Sequence, residues 1–221
     1  MQIEHKNALE SNEKQQSNAA MFSVMADIIK EYLPNVPLHC KMMGYFTDVT
    51  ESDSLEPLTR GTDLELFDEF SDYAGNDTWD YIDRPNMYYT TMFLYDYQHS
   101  VTNKPVYNSE DHIIGDRAMG FTPEQKNHVV NNLWQGAVHG RNLSTIWVWE
   151  RSEDPESDFY TSFLCRPDCI AAVGKTNLDL ARLSGKVSML QQDKPKIAVF
   201  YSKSARLYDK EYSKRLFQAY K

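Results

Sequence analysis

What most narrows the folds open to this chain is a rhythm: short apolar runs, each followed by a segment whose helical start is written in the residues. Thr122 and Gln125 stand three apart as a capping box, Pro123 takes the first helical position, where its missing N–H costs nothing, and Gly140 ends the helix. Asp83-Arg84-Pro85 opens another helix in the same way, with Tyr88, Met92 and Tyr95 on one face as far as about His99. Phe22, Met25, Ile29 and Tyr32 predict an earlier helix, stopped by Pro34 and Pro37. Strands are predicted at Leu38–Met43, near Phe70–Asn76, from Val106 to about Ser109, and at Leu143–Trp149, with a short helix over Asp63–Phe70. A further helix is predicted over Leu178–Gln191. After Asp193-Lys194-Pro195 come a strand, Lys196–Tyr201, and a polar helix, Lys210–Ala219. Residues 1–18 read as a solvated, polar lead-in. Strand–helix alternation of this kind implies an α/β fold with a parallel sheet. Chemistry in such sheets gathers at the C-terminal ends of the strands. Lys194-Pro195 is the expected domain boundary, giving 1–193 and 194–221.

Charge and cysteine usage remove several function classes. Asp and Glu outnumber Lys and Arg by 32 to 23, with no basic block, which argues against a nucleic-acid partner. No run approaches the ~18 apolar residues of a membrane span. The opening Met-Gln-Ile-Glu-His-Lys is too polar for a signal peptide, which favours the cytoplasm. Three cysteines cannot form a paired disulfide framework.

Most chemical motifs fail on spacing. Gly174-Lys175-Thr176 lacks the glycine five residues earlier that a phosphate loop requires, since Cys169 stands there. Cys165 and Cys169 have no nearby histidine pair and read as buried or surface thiols rather than zinc ligands. One segment differs. Tyr107-Asn108-Ser109-Glu110-Asp111-His112 is a strand that ends in a carboxylate among polar groups. Trp147-Val148-Trp149-Glu150-Arg151 ends the next strand with indoles beside a carboxylate and a guanidinium. A stacking face with hydrogen-bond partners suits a sugar ring. Glu110 could equally be a surface loop carboxylate, and Trp147 and Trp149 could be core residues.

Ala26-Asp27-Ile28-Ile29-Lys30-Glu31 through Pro34-Asn35-Val36-Pro37 to Lys41-Met42-Met43-Gly44-Tyr45-Phe46 resembles a helix and the fifth barrel strand of family 42 glycoside hydrolases, most of which are β-galactosidases. Asp72 to Trp79 is similar to their sixth strand, with Asp77 at an aspartate position and Trp79 where an aromatic faces the sugar. Tyr107 to Asp111 resembles the seventh strand, and Glu110 holds the place of the nucleophile. Leu133-Trp134, Ala137-Val138-His139-Gly140 and Trp147 to Ser152 resemble the seventh helix and eighth strand. Lys196 to Tyr201 resembles the opening of the flavodoxin-like domain that follows the barrel. The resemblance implies the C-terminal half, strands five to eight, of a (β/α)8 TIM barrel, followed by the first strand and helix of a flavodoxin-like domain.

The implied activity is retaining hydrolysis of β-glycosides, most readily β-galactosides, with Glu110 attacking the anomeric carbon. Trp149 and Trp79 would stack on the sugar. Asn108, His112, Asp77, Glu150 and Arg151 would orient hydroxyls or the nucleophile, and neither metal nor organic cofactor is implied. Two departures bear on the sugar. The family's tryptophan some eight residues past the nucleophile is replaced by Ala118-Met119-Gly120, and its galactose-binding Glu and His correspond to Glu156-Ser157-Asp158-Phe159-Tyr160, without the histidine. A whole barrel takes ~250 residues, and the acid/base glutamate of the family, at the end of strand four, is expected to precede residue 1. A half barrel with open edges is expected to form a homo-oligomer. The alternative reading is a non-catalytic carbohydrate-binding or assembly module.

Overall fold

The computed structural model describes residues 2–43, 61–83, 85–115, 120–150, 152, 154–157, 160 and 162–221. Its centre is a parallel sheet of three strands, β1 (Ala74–Trp79), β2 (Val106–His112) and β3 (Arg141–Trp147), in that order. Helix α1 (Gln2–Tyr32) and the short α2 (Leu64–Asp68) precede the sheet. Helix α3 (Pro85–Val101) links β1 to β2, and α4 (Pro123–Val138) links β2 to β3. After β3 come a 3-10 turn (Phe163–Cys165), α5 (Pro167–Gln192), α6 (Lys203–Tyr208) and α7 (Lys210–Tyr220). No helix among the described residues is long and apolar enough to cross a membrane.

The start of α4 follows its sequence signal: Thr122 N–H donates to the Gln125 side chain at 3.2 Å, with Pro123 at the first position. The starts of α3 at Pro85, β2 at Val106 and α7 at Lys210 also fall where the sequence puts them, while other boundaries move. Residues 2–18 are not a solvated lead-in but the first half of α1, whose buried stripe is Ala8, Ser11, Gln15, Ala19 and Ala26. Met25, Ile29 and Tyr32, predicted to face the core, are exposed instead, and so is Phe22 at its margin, although its ring meets Phe67 at 5.3 Å. Leu38–Met43 runs beside β1 without forming a full strand. Asp72 N–H and Tyr73 N–H donate to Leu38 O, Asp77 N–H donates to Met42 O at 2.9 Å, and a single bridge joins Met43 to Asp77. The close approach needs Gly75, where a Cβ would stand 2.1 Å from Cys40 O.

Two hydrophobic groupings seat the helices on one face of the sheet. Ala74 and Val106 pack with Met92 and Tyr95 of α3. Ile113, Ile114, Val129, Leu133, Phe163, Cys169, Ala172 and Val173 join α4, α5 and the end of β2. Cys169 is thus a buried thiol, and all three cysteines are free. Helix α5 begins at Pro167, eleven residues before its predicted start, because its buried first half uses small residues and a cysteine. No strand forms over Lys196–Tyr201: no described strand lies alongside it, and Ile197 and Phe200 are exposed. Tyr201 and α7 instead pack on α3, through Leu216, Phe217 and Tyr220 against Phe93, Leu94 and Tyr97.

Candidate functional site

Which face of the sheet a residue occupies decides its chemistry, and β2 changes face midway. Along β1, Ala74, Asn76 and Thr78 turn to the helices: Asn76 donates to Gln98 of α3 at 2.7 Å and Thr78 meets the Tyr95 hydroxyl at 3.2 Å. Gly75, Asp77 and Trp79 therefore occupy the opposite, inner face. Regular alternation from the buried Val106 would send Asn108, Glu110 and His112 to the helices. The register prevents this. Asn76 pairs with Asn108, but Asp77 pairs with Glu110, so Ser109 is an extra residue, a β-bulge. Past it, Asp111 faces the helices while Glu110 and His112 join Asp77 and Trp79 on the inner face.

Asn108 stays on the helix side, fully buried, and does not reach the inner face. Of the two roles expected of it, orienting hydroxyls or orienting Glu110, its contacts correspond to the second. Its amide donates to Thr78 Oγ1 at 2.7 Å and to Tyr95 Oη at 2.8 Å, while its oxygen accepts from Glu110 N–H at 3.2 Å. It fixes the backbone of the carboxylate.

On the inner face Lys41 Nζ pairs with Glu110 Oε2 and lies 3.7 Å from Asp77 Oδ2. His112 Nε2 lies 3.1 Å from Glu110 Oε1 and 3.6 Å from Asp77 Oδ1, and Tyr81 Oη is 3.2 Å from His112 Nδ1. The imidazole stacks on Trp79, with centroids 4.9 Å apart, and tilts against Trp147 at 5.6 Å. Burial pushes the Glu110 carboxyl upward, but the hydrogen bonds from Lys41 and His112 outweigh it and hold it below the usual range. Asp77 has no such margin. Burial, then the charge of Glu110, raises its carboxyl to about 7.

The structure thus brings together four of the sequence-predicted site residues: Glu110, His112, Asp77 and Trp79. Trp149 goes elsewhere, its ring stacked on Phe163 at 5.6 Å. Glu150 uses its backbone carbonyl, which accepts from Ser162 Oγ and Leu164 N–H, while the residue itself is exposed. Arg151 lies outside the described residues. Two participants, Lys41 and Tyr81, escaped the sequence reading, and a third, Trp147, was noted there at the strand end without being assigned to the site. Lys41 carried a signal, as the one charge near the end of an apolar run. Trp147, two residues before the tryptophan chosen, is the one that reaches His112. Tyr81 carried no signal beyond lying just past a strand end.

Chemically, the cluster offers an ionised carboxylate, partly open to solvent, that could act as nucleophile or base. Beside it lies a buried carboxyl that exchanges between its protonated and ionised forms near neutral pH. Donor atoms of Asp77, Glu110 and His112 all lie within 4.8 Å of one another, close enough to share a cation.

No protein-family model matches the chain, and no curated protein matches it in sequence. Among solved structures it is similar to the apo exo-carrageenase of glycoside hydrolase family 42 from Bacteroides ovatus, with a TM-score of 0.77 and 20% identity. The likeness covers 95% of this chain and 30% of the enzyme. In fold, then, the chain is similar to a part of that enzyme and spans 30% of its length.

Proposed function

We propose that this chain is part of a retaining β-glycosidase, with Glu110 as its nucleophile. The observation that carries the reading is the placement of Glu110: a bulge turns it to the inner face at the C-terminal end of the central strand, where Lys41 and His112 keep it ionised. In such an enzyme one Glu110 oxygen attacks the anomeric carbon. The bond to the leaving oxygen breaks, and water later hydrolyses the glycosyl-enzyme. Lys41 or His112 must release the attacking oxygen, and the other keeps its hold on the carboxylate. The indoles of Trp79 and Trp147 supply the apolar wall against which a ring can stack.

Retention needs a second carboxyl about 5–5.5 Å from the first. A donor oxygen of Asp77 lies within 4.8 Å of one of Glu110, but the Asp77 side chain is 3% exposed and held against Lys41 and His112, not presented to a leaving group. On this reading the acid/base comes from another part of the whole enzyme, so turnover of unactivated glycosides by this chain alone should be slight. The reading extends to β-galactosides, and the neighbour's activity adds carrageenan oligosaccharides to the test panel.

The test is intact mass after incubation with a 2-deoxy-2-fluoro-β-galactoside bearing a dinitrophenyl leaving group, which departs without a general acid. One sugar adduct is expected, mapped to Glu110 and lost in Glu110→Gln. An adduct on another carboxylate, or none on a chain shown to be folded, overturns the assignment in favour of a non-catalytic carbohydrate-binding module.

A further inference from the structure

We propose that Asp77, Glu110 and His112 form a binding site for a divalent transition-metal ion of the zinc class. Bonds of about 2.0–2.2 Å to nitrogen and oxygen set a tetrahedral edge of about 3.4 Å between neighbouring donors. Two of the three edges are already close to it: His112 Nε2 stands 3.1 Å from Glu110 Oε1 and 3.6 Å from Asp77 Oδ1. The third lies within the 4.8 Å that spans all three donors.

A second observation points to a ligand. Asp77 Oδ1 is buried on a side chain only 3% exposed, and among the described residues it has no hydrogen-bond partner. Asp68, Asp80 and Asp111 each carry such an oxygen too, but among the described residues only Asp77 belongs to a group of three metal-ligating side chains, and its oxygen faces the imidazole nitrogen. The outer shell also suits a metal. Tyr81 Oη engages Nδ1 of His112, which commits Nε2 to the carboxylates, and the flanking indoles of Trp79 and Trp147 fix the ring. Imidazole with two carboxylates is a donor set for zinc, manganese or iron rather than for thiophilic ions.

Lys41 shows that the cluster already accepts a cation, in tethered form. Its ammonium pairs with Glu110 and approaches Asp77, and the side chain is 45% exposed, so it can withdraw into solvent. Lysine and metal are competitors. A bound ion would tie up Glu110 and exclude a sugar, but the site itself does not depend on the glycosidase reading.

The experiment titrates the chelator-treated full chain with Co2+, followed by visible absorption, and then displaces it with Zn2+. One equivalent is expected to saturate, without the near-ultraviolet thiolate band that binding at Cys40, Cys165 or Cys169 would give. Asp77→Asn should weaken binding at least tenfold, no less than the 10–100-fold lost with outer-shell partners. Lys41→Met, at a half-exposed position that does not threaten folding, should tighten it severalfold by removing the competitor. No saturable site, a thiolate band, or affinities unchanged in both variants would overturn the proposal.

Discussion

Replacing Arg141 with methionine strikes the network directly behind the site. Arg141 opens β3 with its side chain 3% exposed, and the side chain of its partner Asp111 is 0% exposed. Nη1 pairs with Asp111 Oδ2 and donates to Asn132 Oδ1 at 3.1 Å and Tyr95 Oη at 3.3 Å. Nη2 donates to the carbonyls of Asn132 and Leu133, and the guanidinium lies 5.4 Å from the Tyr95 ring centroid. Burial raises the Tyr95 phenol to about 12, so it stays protonated and neutral. Methionine keeps much of the stem but withdraws every donor, leaving Asp111 only Ser144 Oγ at 2.6 Å. Breaking a buried pair from one side costs about 3–5 kcal/mol, a large share of the roughly 5–15 kcal/mol that holds a domain folded. Urea unfolding followed by circular dichroism should show that loss as a lower midpoint at unchanged slope. Arg141→Met combined with Asp111→Leu should recover most of it, because exchanging a whole buried pair for apolar groups is often neutral or stabilising. A single-variant loss below about 1 kcal/mol, or a double variant no better than the sum of its parts, would refute the reasoning.

Gly75→Ala should cost about 1–3 kcal/mol, because its Cβ would meet Cys40 O at 2.1 Å and push away the segment bearing Lys41. Gly174→Ala in α5, with nothing within 4 Å, should stabilise by about 0.5–1 kcal/mol, and thermal melts that rank the two alike would contradict the packing described. Burial raises the Asp80 carboxyl above its ordinary 3.8, with His128 and Asn132 only partly offsetting it. A raised carboxyl binds more protons folded than unfolded, so its contribution to stability falls as pH rises from 3.8 toward the raised value. Asp80→Asn should therefore gain on the parent across that window, read from unfolding midpoints at successive pH values, and a variant that loses ground to the parent as pH rises would reverse the assignment.

The strand–helix order was legible because its punctuation is local. A capping box, prolines at helix starts and Gly140, at φ 101° after α4, each act over a few residues. What was illegible depended on partners. The buried face of α1 is written in Ala8, Ser11, Gln15 and Ala19, residues that look polar or indifferent until a neighbour lies against them. The run at Lys196–Tyr201 has strand chemistry, yet no described strand stands beside it, so Tyr201 turns to the aromatic surface of α3. Periodicity reports what a segment can bury, not whether anything is present to bury it.

The site shows the same division at the scale of one residue. Position at the end of an apolar strand was enough to single out Glu110, but the face it occupies was not in the pattern. Simple alternation from Val106 would bury Glu110 beneath α3 and α4 and turn Asp111 inward. Ser109, which is neither glycine nor proline, announces no bulge, yet the register shift there exchanges the two acids. Each then meets a cation suited to its face. Asp111 receives a guanidinium and the Ser144 hydroxyl on Oδ2 in a closed, buried setting, which fixes structure. Glu110 receives the ammonium of a half-exposed lysine and an imidazole flanked by indoles, a setting that keeps it charged beside solvent. Neighbouring carboxylates with near-identical sequence surroundings thus acquire opposite tasks from one extra residue, and the inner one is where nucleophilic or metal chemistry can occur.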